Sequence, residues 1–572
     1  MMRLRVGFIL IAMVVSVFAG RLFQLQGIDA KAYAARAQAA GLQTVTLPAV
    51  RGAILDRNGE PLAESADGLM LVADPSMTAD DAQDIAKIIA GRLDVDYFEL
   101  LERLRKPDTQ FQYLARRIPA DQARAVLQEI EEGGFRGVYS RRDPMRHYPA
   151  EDVAANILGF MGADGTALTG FEVVFDEMLS GKDGSATYET GGGQRLPLGD
   201  NSVVEPVDGV DLSLTIDRDV QWYAQRVLRE TVQGARGDSG VAVVLDSRTG
   251  EVLALADHPT FDANEPLLSP KEDLGMRSVY DVYEPGSVQK VLTAASLIDA
   301  KKVTPDTRIT VPSKLPRQDR VIGDYWEHDR LRLTLTGVLA KSSNIGTVLA
   351  ADEFSPKELH DYLAAFGLGQ PTGIGLPKES RGLLPWWENW SQINQDTISF
   401  GQGVSVNALQ MAAAVNAIAN DGVLVQPSLV QGVATTAQGQ TVGSATTTSR
   451  RVISERAARL TAEMMEAVTD PEEGTAPGAA IEGYRVAGKT GTAQRVGKDC
   501  GCYDGTFTVS FAGFAPADDP RFLVYVVVQN PRNGGGGGSI GGPAFKQIMT
   551  YLLRRYAVPP TGSPAPDNPV EW

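Results

Sequence analysis

Three short stretches of the chain carry residue types that could do nucleophilic chemistry. The first is Ser287-Val288-Gln289-Lys290, preceded by Tyr283-Glu284-Pro285-Gly286. Pro285 and Gly286 make a turn, and Val288, Val291, Leu292, Ala295 and Ile298 recur at helical spacing. Ser287 is therefore expected at a helix N-terminus, where unpaired N–H groups and the helix dipole favour developing negative charge. Lys290 falls three residues on, on the same side of the helix and within reach of the Ser287 hydroxyl. A desolvated amine in that position gives up its proton more readily and can serve as the base. The chain has only 4 histidines, His147, His258, His328 and His360. They are widely dispersed and read as structural, so a base other than imidazole is needed. Taken alone, S-x-x-K is more often an N-cap serine beside a solvated lysine.

The second stretch is Lys341-Ser342-Ser343-Asn344, after the apolar run from Leu335 to Ala340. A hydroxyl (Ser342) and a carboxamide (Asn344) two residues apart can present a proton relay and a contact for a substrate amide. By itself the segment is also an ordinary polar turn between helices. The third is Gly488-Lys489-Thr490-Gly491-Thr492, which offers a cation, hydroxyls and close backbone N–H groups to an anionic ligand. Residues 483–490 also match the phosphate-loop pattern G-x-x-x-x-G-K-[ST]. That loop must open a helix, and here Gly491, Gly497, Gly501 and Gly505 follow instead. Cys500-Gly501-Cys502 comes next. Cysteines two apart in extended chain lie near the limit of a bridgeable distance, so either a strained disulfide or two free thiols is expected.

The elements needed to position these stretches can be read on either side of them. A strand at 212–216 is followed by a helix with Val220, Tyr223, Ala224, Val227 and Leu228 on one stripe. Two apolar strands, GVAVVLD and EVLALA, form a hairpin through Ser247–Gly250. Residues 507–514 and 522–529 are strand-like and precede a helix carrying Phe545, Ile548, Met549 and Leu552. Strands at both ends of a domain with a helix-rich middle, 287–420, predict one antiparallel sheet, closed by both termini and flanked by helices. The stretch before it is a mixed α+β module. It opens with an Ala-rich helix at 29–40, then a strand in TVTLPAV and an Asn58-Gly59 turn between extended pieces. Thr78 then caps a helix whose Ala82, Ile85 and Ile89 share a face. Gly534–Gly538 is a flexible loop, read as a strand-to-helix linker in preference to a loop beside the site, and 559–572, rich in Pro, reads as a disordered tail.

At the N-terminus, Arg3 and Arg5 precede an uncharged apolar run from Val6 to Gly20. As a helix that run covers about 22 Å, and if it continues past Arg21 to Ile28 it reaches about 34 Å, enough to span a bilayer. A cleaved signal peptide ending near Ala19 is the alternative. In either case the basic flank stays in the cytoplasm and the rest is exported, away from ATP and NAD. The expected division is 1–28 cytoplasmic end and anchor, 29–208 non-catalytic pedestal, 209–558 catalytic domain and 559–572 tail.

Composition excludes several classes. Lys+Arg 54 against Asp+Glu 71 leaves −17 over 572 residues, which argues against nucleic acid as a partner. Mean hydropathy of −0.12 excludes a polytopic membrane protein. Two cysteines and scattered histidines leave neither a disulfide framework nor a metal site, and no cofactor is expected.

S-x-x-K, then S-x-N, then K-T-G, in that order, resembles the penicillin-binding and β-lactamase superfamily. The chain as a whole is similar to the class B penicillin-binding proteins, monofunctional peptidoglycan D,D-transpeptidases, and most like the FtsI-type division enzymes. The likeness extends to RGAILDRNGEPLA, ILGFMG, LTGFE, SFGQGVSVNALQMAAAVNAIANDG and GGPAFKQIM. Where the family often has Gly-Leu-Glu-Gly, this chain has Ala167-Leu168-Thr169-Gly170. The resemblance implies a fold of anchor, elongated α+β pedestal and penicillin-binding transpeptidase domain. It implies Ser287 as the nucleophile on the penultimate D-Ala carbonyl, Lys290 as its base, and Ser342 and Asn344 as relay hydroxyl and positioning amide. Lys489 would be the cation of the relay. Thr490, Gly491 and Thr492 would meet the substrate carboxylate, and the N–H groups of Ser287 and Thr492 would form the oxyanion hole. Stem peptides of peptidoglycan would be the substrates and β-lactams covalent inhibitors. A SEDS-type, FtsW-like glycosyltransferase and other divisome membrane proteins would be partners.

Two alternatives remain at this point. One is a hydrolase, either a D,D-carboxypeptidase or a β-lactamase. The other is a membrane-anchored sensor of β-lactams or muropeptides without catalysis, which would need a cytoplasmic output module where only residues 1–5 precede the anchor.

Overall fold

A computed structural model of the chain describes residues 2–24, 42–162, 164–191, 194–195, 201–376, 378–497 and 501–572. The helix expected at 29–40 and the anchor boundary at Ile28 lie outside the described residues. The N-terminal apolar run is a helix, α1 (Met2–Phe23), that continues through Arg21. Its Leu4–Phe23 portion, with mean hydropathy 2.3, is long and apolar enough to cross a membrane.

The chain divides into two compact units, and the division is not the single cut expected at 208/209. Met1–Gly52, Ser65–Met145 and Ser180–Val210 form one unit, while Ala53–Glu64 and Arg146–Leu179 belong with Asp211–Trp572 in the other. The physical reason lies inside the second unit. Ile54–Leu55 pairs in parallel with Leu212–Ser213, and Phe171 and Phe175 are buried in that unit's main core.

In the first unit, β1 (Gly68–Ala73) is the centre of a three-stranded sheet. Helices α2 (Ala82–Arg92) and α3 (Tyr97–Leu104) precede the edge strand β2 (Gln112–Pro119), and α4 (Ala120–Glu132) precedes the other edge, β3 (Val138–Arg142). Ala82, Ile85 and Ile89 of α2 pack with Leu71, Leu114, Val126 and Ile130, as their spacing predicts. Thr78 does not cap α2. It ends a separate helical turn, and its hydroxyl donates to the Leu104 carbonyl at 2.9 Å. Leu42–Leu47 pairs antiparallel with Gly184–Gly191 in a second small sheet.

The second unit contains the predicted antiparallel sheet. Helix α5 (Arg218–Ala235) leads into the hairpin β4 (Ser239–Asp246) and β5 (Val252–His258). The helical middle includes α6 (Gln289–Asp299), the short pair β6 (Arg308–Val311) and β7 (Leu331–Thr334), then α7 (Leu335–Ala340), α8 (Asn344–Ala351) and α9 (Ala408–Ala419). The chain returns through β8 (Ala487–Val496), β9 (Tyr503–Ala515), β10 (Phe522–Gln529) and α10 (Gly542–Arg555). The strand order is β5-β4-β10-β9-β8, all antiparallel, so strands distant in sequence meet at the β4–β10 seam and β8 is an edge.

Side chains on these strands alternate between two cores. Val243, Leu245, Leu523, Tyr525 and Val527 join the core that holds Leu292 of α6 and Val415 of α9. Val244, Val524, Val526 and Val528 join the core that holds Leu228 of α5 and Phe545 of α10. With helices on both faces, the strands read as unbroken apolar runs and fix the catalytic elements rigidly against the sheet.

The tail 559–572 differs from the expected disorder. It extends the β6–β7 pair: the Thr334 N–H donates to the Val570 carbonyl at 3.0 Å and the Trp572 N–H to the Arg332 carbonyl at 3.1 Å. The Trp572 ring lies 5.0 Å from the Arg308 guanidinium and 5.4 Å from that of Arg332. Composition cannot reveal this docking, because the affinity comes from the free edge of β7 and from one terminal aromatic. Trp572→Ala is expected to lower Tm by about 2–4 °C, through loss of two cation–π contacts of about 0.5–1 kcal/mol each. Calorimetry checks this, and an unchanged Tm would mean that the docked tail adds no stability.

Candidate active site

The nucleophile segment is held by close backbone packing. Gly286 has φ +55, and a Cβ there would lie 2.9 Å from the Ala493 Cβ of β8. Its N–H donates to the Gly401 carbonyl at 2.9 Å, and a Cβ on Gly401 would lie 2.1 Å from the Gly286 carbonyl oxygen. The turn is thus wedged between β8 and the 401 loop, and only glycine fits at either position. Ser287 lies within the 3-10 turn Gly286–Val288, which runs directly into α6. This is the expected helix N-terminus, with Ser287 in the first turn and not at a cap. Its half-buried hydroxyl makes no hydrogen bond among the described residues, unlike a capping serine, which would accept one from the backbone.

Lys290 follows on α6 and is fully buried, as is Lys489 on β8. Both amines turn to the α7–α8 junction. Lys489 Nζ donates to Ser342 Oγ at 2.8 Å. Lys290 Nζ donates to the Ser342 carbonyl at 2.5 Å and approaches Ser342 Oγ at 3.4 Å. No hydrogen bond joins Lys290 to Ser287 among the described residues, and the Lys290 amine is engaged by Ser342 instead. The Ser342 hydroxyl therefore sits between two amines from elements 199 positions apart in sequence (489 − 290). It is held there with Ser342 at φ +58, a left-handed conformation that costs a serine about 1 kcal/mol or more.

Burial pushes the Lys290 amine down to about 7, with the Asp324 carboxylate acting in the opposite sense. Burial pushes Lys489 well below the usual lysine range, and the neighbouring Lys290 pushes it further. Two amines on one hydroxyl in a water-poor cavity cannot both stay charged near neutral pH. A neutral amine beside the nucleophile is what general-base chemistry without histidine requires.

Thr490 Oγ1 accepts from Lys489 Nζ at 3.2 Å and lies 3.2 Å from Thr475 Oγ1. Gly491 is buried, and a Cβ there would lie 2.3 Å from Ser510 Oγ and 3.0 Å from Val288 Cγ2. Thr492 is exposed on the same strand. Because β8 is an edge strand, its outer backbone groups have no strand partner and face the nucleophile turn. Residues 488–492 are extended strand with no helix after them, so the phosphate-loop geometry is not formed. Asn344 begins α8, and its Nδ2 donates to the Gly323 carbonyl at 3.0 Å.

These residues meet in a cleft of about 1080 Å³. Ser287, Ser342, Asn344, Thr490 and Thr492 line it, with the two lysines sealed behind them. Its size and openness suit an extended peptide better than a small enclosed metabolite. The sequence reading missed three contributions. Gly535–Gly538, taken for a linker, lines the cleft. A Cβ on Gly537 would lie 2.7 Å from the Gly491 carbonyl oxygen, so its glycine is a packing requirement. Tyr503 also lines the cleft, and its hydroxyl donates to Glu284 at 2.9 Å, tying the β8–β9 hairpin to the nucleophile segment. Asp324, inside an unremarkable GDYWEHD, has its side chain fully buried against the Ser343 hydroxyl and the N–H groups of Asn344 and Ile345. The polyglycine run was the only one of the three with a visible signal. Cys502 is disulfide-bonded, while Cys500, the chain's other cysteine, lies outside the described residues.

A family model described as the penicillin binding protein transpeptidase domain matches residues 240–550. A second, the penicillin-binding protein dimerisation domain, matches 46–214. The chain is 37% identical to the penicillin-binding protein PbpB of Mycolicibacterium smegmatis, over 99% of this chain and 92% of that protein. It is 34% identical to the peptidoglycan D,D-transpeptidase FtsI of Escherichia coli, over 95% of this chain and 90% of that protein. The crystal structure of penicillin binding protein 3 from Mycobacterium tuberculosis with aztreonam superposes with a TM-score of 0.70 at 31% identity, covering 92% of this chain and 100% of that one.

Proposed function

The chain belongs to the class B penicillin-binding proteins and is a serine-type peptidoglycan D,D-transpeptidase, and from that premise we propose which of its residues carry the reaction and how. Ser287 attacks the carbonyl of the penultimate D-Ala of a stem pentapeptide, and neutral Lys290 takes the hydroxyl proton. The oxyanion is held by the N–H groups of Ser287 and Thr492, a donor pair of the kind that contributes about 3 kcal/mol to the transition state. Collapse breaks the peptide bond, and the proton passes through Ser342 Oγ to the departing D-Ala amine. An acceptor amine from a second stem then attacks the ester, loses its proton by the same relay, and frees Ser287 as the cross-link forms.

Thr490 and Thr492 hydrogen-bond the terminal carboxylate, with Gly491 keeping the strand close enough for both. Asn344 holds a backbone amide of the substrate. Arrival of that carboxylate favours the charged form of Lys489, so the proton shared by the amine pair moves to Lys489 and leaves Lys290 free to act. A β-lactam enters the same cycle, but its leaving group stays tethered and blocks the second amine.

The observation that carries this reading is the meeting of Lys290, Lys489 and Ser342 at one hydroxyl behind an unbonded Ser287. We further infer that α1 anchors the chain in the cell membrane with the catalytic unit outside the cytoplasm. The role is septal cell-wall synthesis, in company with a SEDS-type, FtsW-like polymerase and other division proteins. Support for this part is the basic flank before α1 and the likeness to FtsI-type enzymes.

The test is a fluorescent penicillin followed by peptide mapping, then a stem pentapeptide with an amine acceptor. A long-lived adduct on the Ser287 peptide and a cross-linked product with release of D-Ala are expected. An adduct that turns over quickly, with hydrolysis instead of cross-linking, would replace the transferase by a hydrolase. A stable adduct without any product would leave a sensor.

A further inference from the structure

The Asp324 carboxylate has no part in the scheme above, yet it is among the best-satisfied groups near the cleft. It lies between the strand Arg320–Ile322 and β7, with its side chain fully buried. Oδ1 accepts from the N–H groups of Asn344 at 2.5 Å and Ile345 at 3.1 Å. Oδ2 accepts from Ser343 Oγ at 2.7 Å and lies 3.0 Å from His328 Nε2. His328 is itself buried, and its Nδ1 lies 2.5 Å from the Asp329 carbonyl oxygen.

Two consequences follow. The N–H groups of Asn344 and Ile345 are the first of α8 and have no partner within the helix, and a carboxylate there also suits the dipole. Ser342, immediately before them, is the strained left-handed residue whose hydroxyl the two lysines share. A strained residue persists only where its neighbours are fixed independently. Before Ser342 that fixing comes from α7, with the Lys341 N–H donating to the Gly337 carbonyl at 2.9 Å and the Ser342 N–H to the Leu339 carbonyl at 3.2 Å. After it, the fixing comes from Asp324.

We propose that Asp324 is a positioning residue for acylation: by gripping Ser343, Asn344 and Ile345 it holds the Ser342 hydroxyl between Lys290 and Lys489, and it supplies the amine pair with a buried counter-charge. This rests on the assignment of Ser287 and Lys290 above. The groups facing the Lys290 amine are Lys489 from β8, the neutral Ser342 from the α7–α8 junction, and Asp324, which has His328 at its back. Lys341 of the same junction is paired with Glu473. Of these, the Asp324 charge holds Lys290 up against the effect of burial. Removing it lowers the pH at which Lys290 becomes neutral.

The test uses the full chain and measures second-order acylation by a fluorescent penicillin from pH 5.5 to 9.5, with Tm recorded for each variant. Asp324→Asn keeps the shape but loses the charge and an acceptor. Its rate at pH 7.5 is expected to fall about 10–100-fold, the range of a hydrogen bond to a charged group. Its acid limb is expected to move to lower pH, which loosened packing alone would not do. Ser343→Ala removes the bond to Asp324 and the Ser343 cap on the Gly346 N–H of α8 but keeps the charge, so a fall of about 3–10-fold with the limb unmoved is expected.

Asp324→Asn acylating within twofold of wild type, or slower with its limb unmoved, overturns the proposal. So does a limb that moves in Ser343→Ala as well. If Asp324→Asn does not fold, Ser343→Ala acylating at the wild-type rate overturns it. Wild type without an adduct on Ser287 would fail the catalytic reading itself, whereas normal wild-type labelling with indifferent variants fails only the role of Asp324.

Discussion

Ser287→Ala is expected to abolish the covalent penicillin adduct, with a fall of more than about 10⁴-fold in acylation and Tm within a degree or two of wild type. The loss is expected because the two hydroxyls nearest the lysines are already engaged. Ser342 Oγ is already engaged by both lysines, and Thr490 Oγ1 by Lys489 and Thr475. The fold survives because Ser287 Oγ has no hydrogen bond to lose, and the turn is held by backbone contacts at Gly286 and Gly401. Gel fluorescence against intact mass measures the adduct. A residual adduct of normal stoichiometry would move the nucleophile elsewhere, and a large fall in Tm would make Ser287 a structural cap.

Lys290→Met should cost nearly as much, about 10³–10⁴-fold in acylation at neutral pH, the upper range for a positioned general base. Wild-type acylation should rise with pH through about 7, where Lys290 becomes neutral, and that limb should vanish in the variant. Stability gives an independent readout. A lysine amine at about 7 in the folded chain and 10.5 in the unfolded one leaves the unfolded state binding more protons between those values. Stability from this group therefore rises with pH from about 7 to 10.5 and is flat below, and the methionine variant should lose that slope. Chemical denaturation at pH 7 and 9.5 measures it. A variant that acylates normally at neutral pH would remove Lys290 from the base role, and an unchanged slope would mean that its amine is not held neutral by burial.

The features legible in the sequence were those encoded by local spacing. The stripe from Val220 to Leu228, the GVAVVLD–EVLALA hairpin and the helix after Lys290 each follow from periodicity, and all three form as expected. The order of the three motifs pointed to the chemistry because each supplies a different part of one mechanism. Features made only by tertiary contact were not legible. Nothing in GDYWEHD announces that Asp324 meets residue 344, since the bond depends on where β7 leaves the chain. The tail was misjudged because proline content describes a free segment, whereas docking is decided by the edge it meets. The interleaving of the two units was not legible for the same reason: Ile54 lies with its partner Leu212, 158 residues later (212 − 54).

The glycines at 286, 401, 491 and 537 bear on how this enzyme can adapt under antibiotic selection. Each lies where one added carbon would overlap a neighbour at 2.9 Å or less, and most of those neighbours are backbone or machinery atoms that cannot yield. These four positions are therefore closed to substitutions that would exclude a drug while sparing the enzyme. Resistance arising by amino-acid exchange is then expected at the outer margin, where the exposed side chains of Arg320, Gln494 and Phe507 border the cleft. Inhibitors that take their grip from the glycine-lined floor would give such escape the fewest footholds.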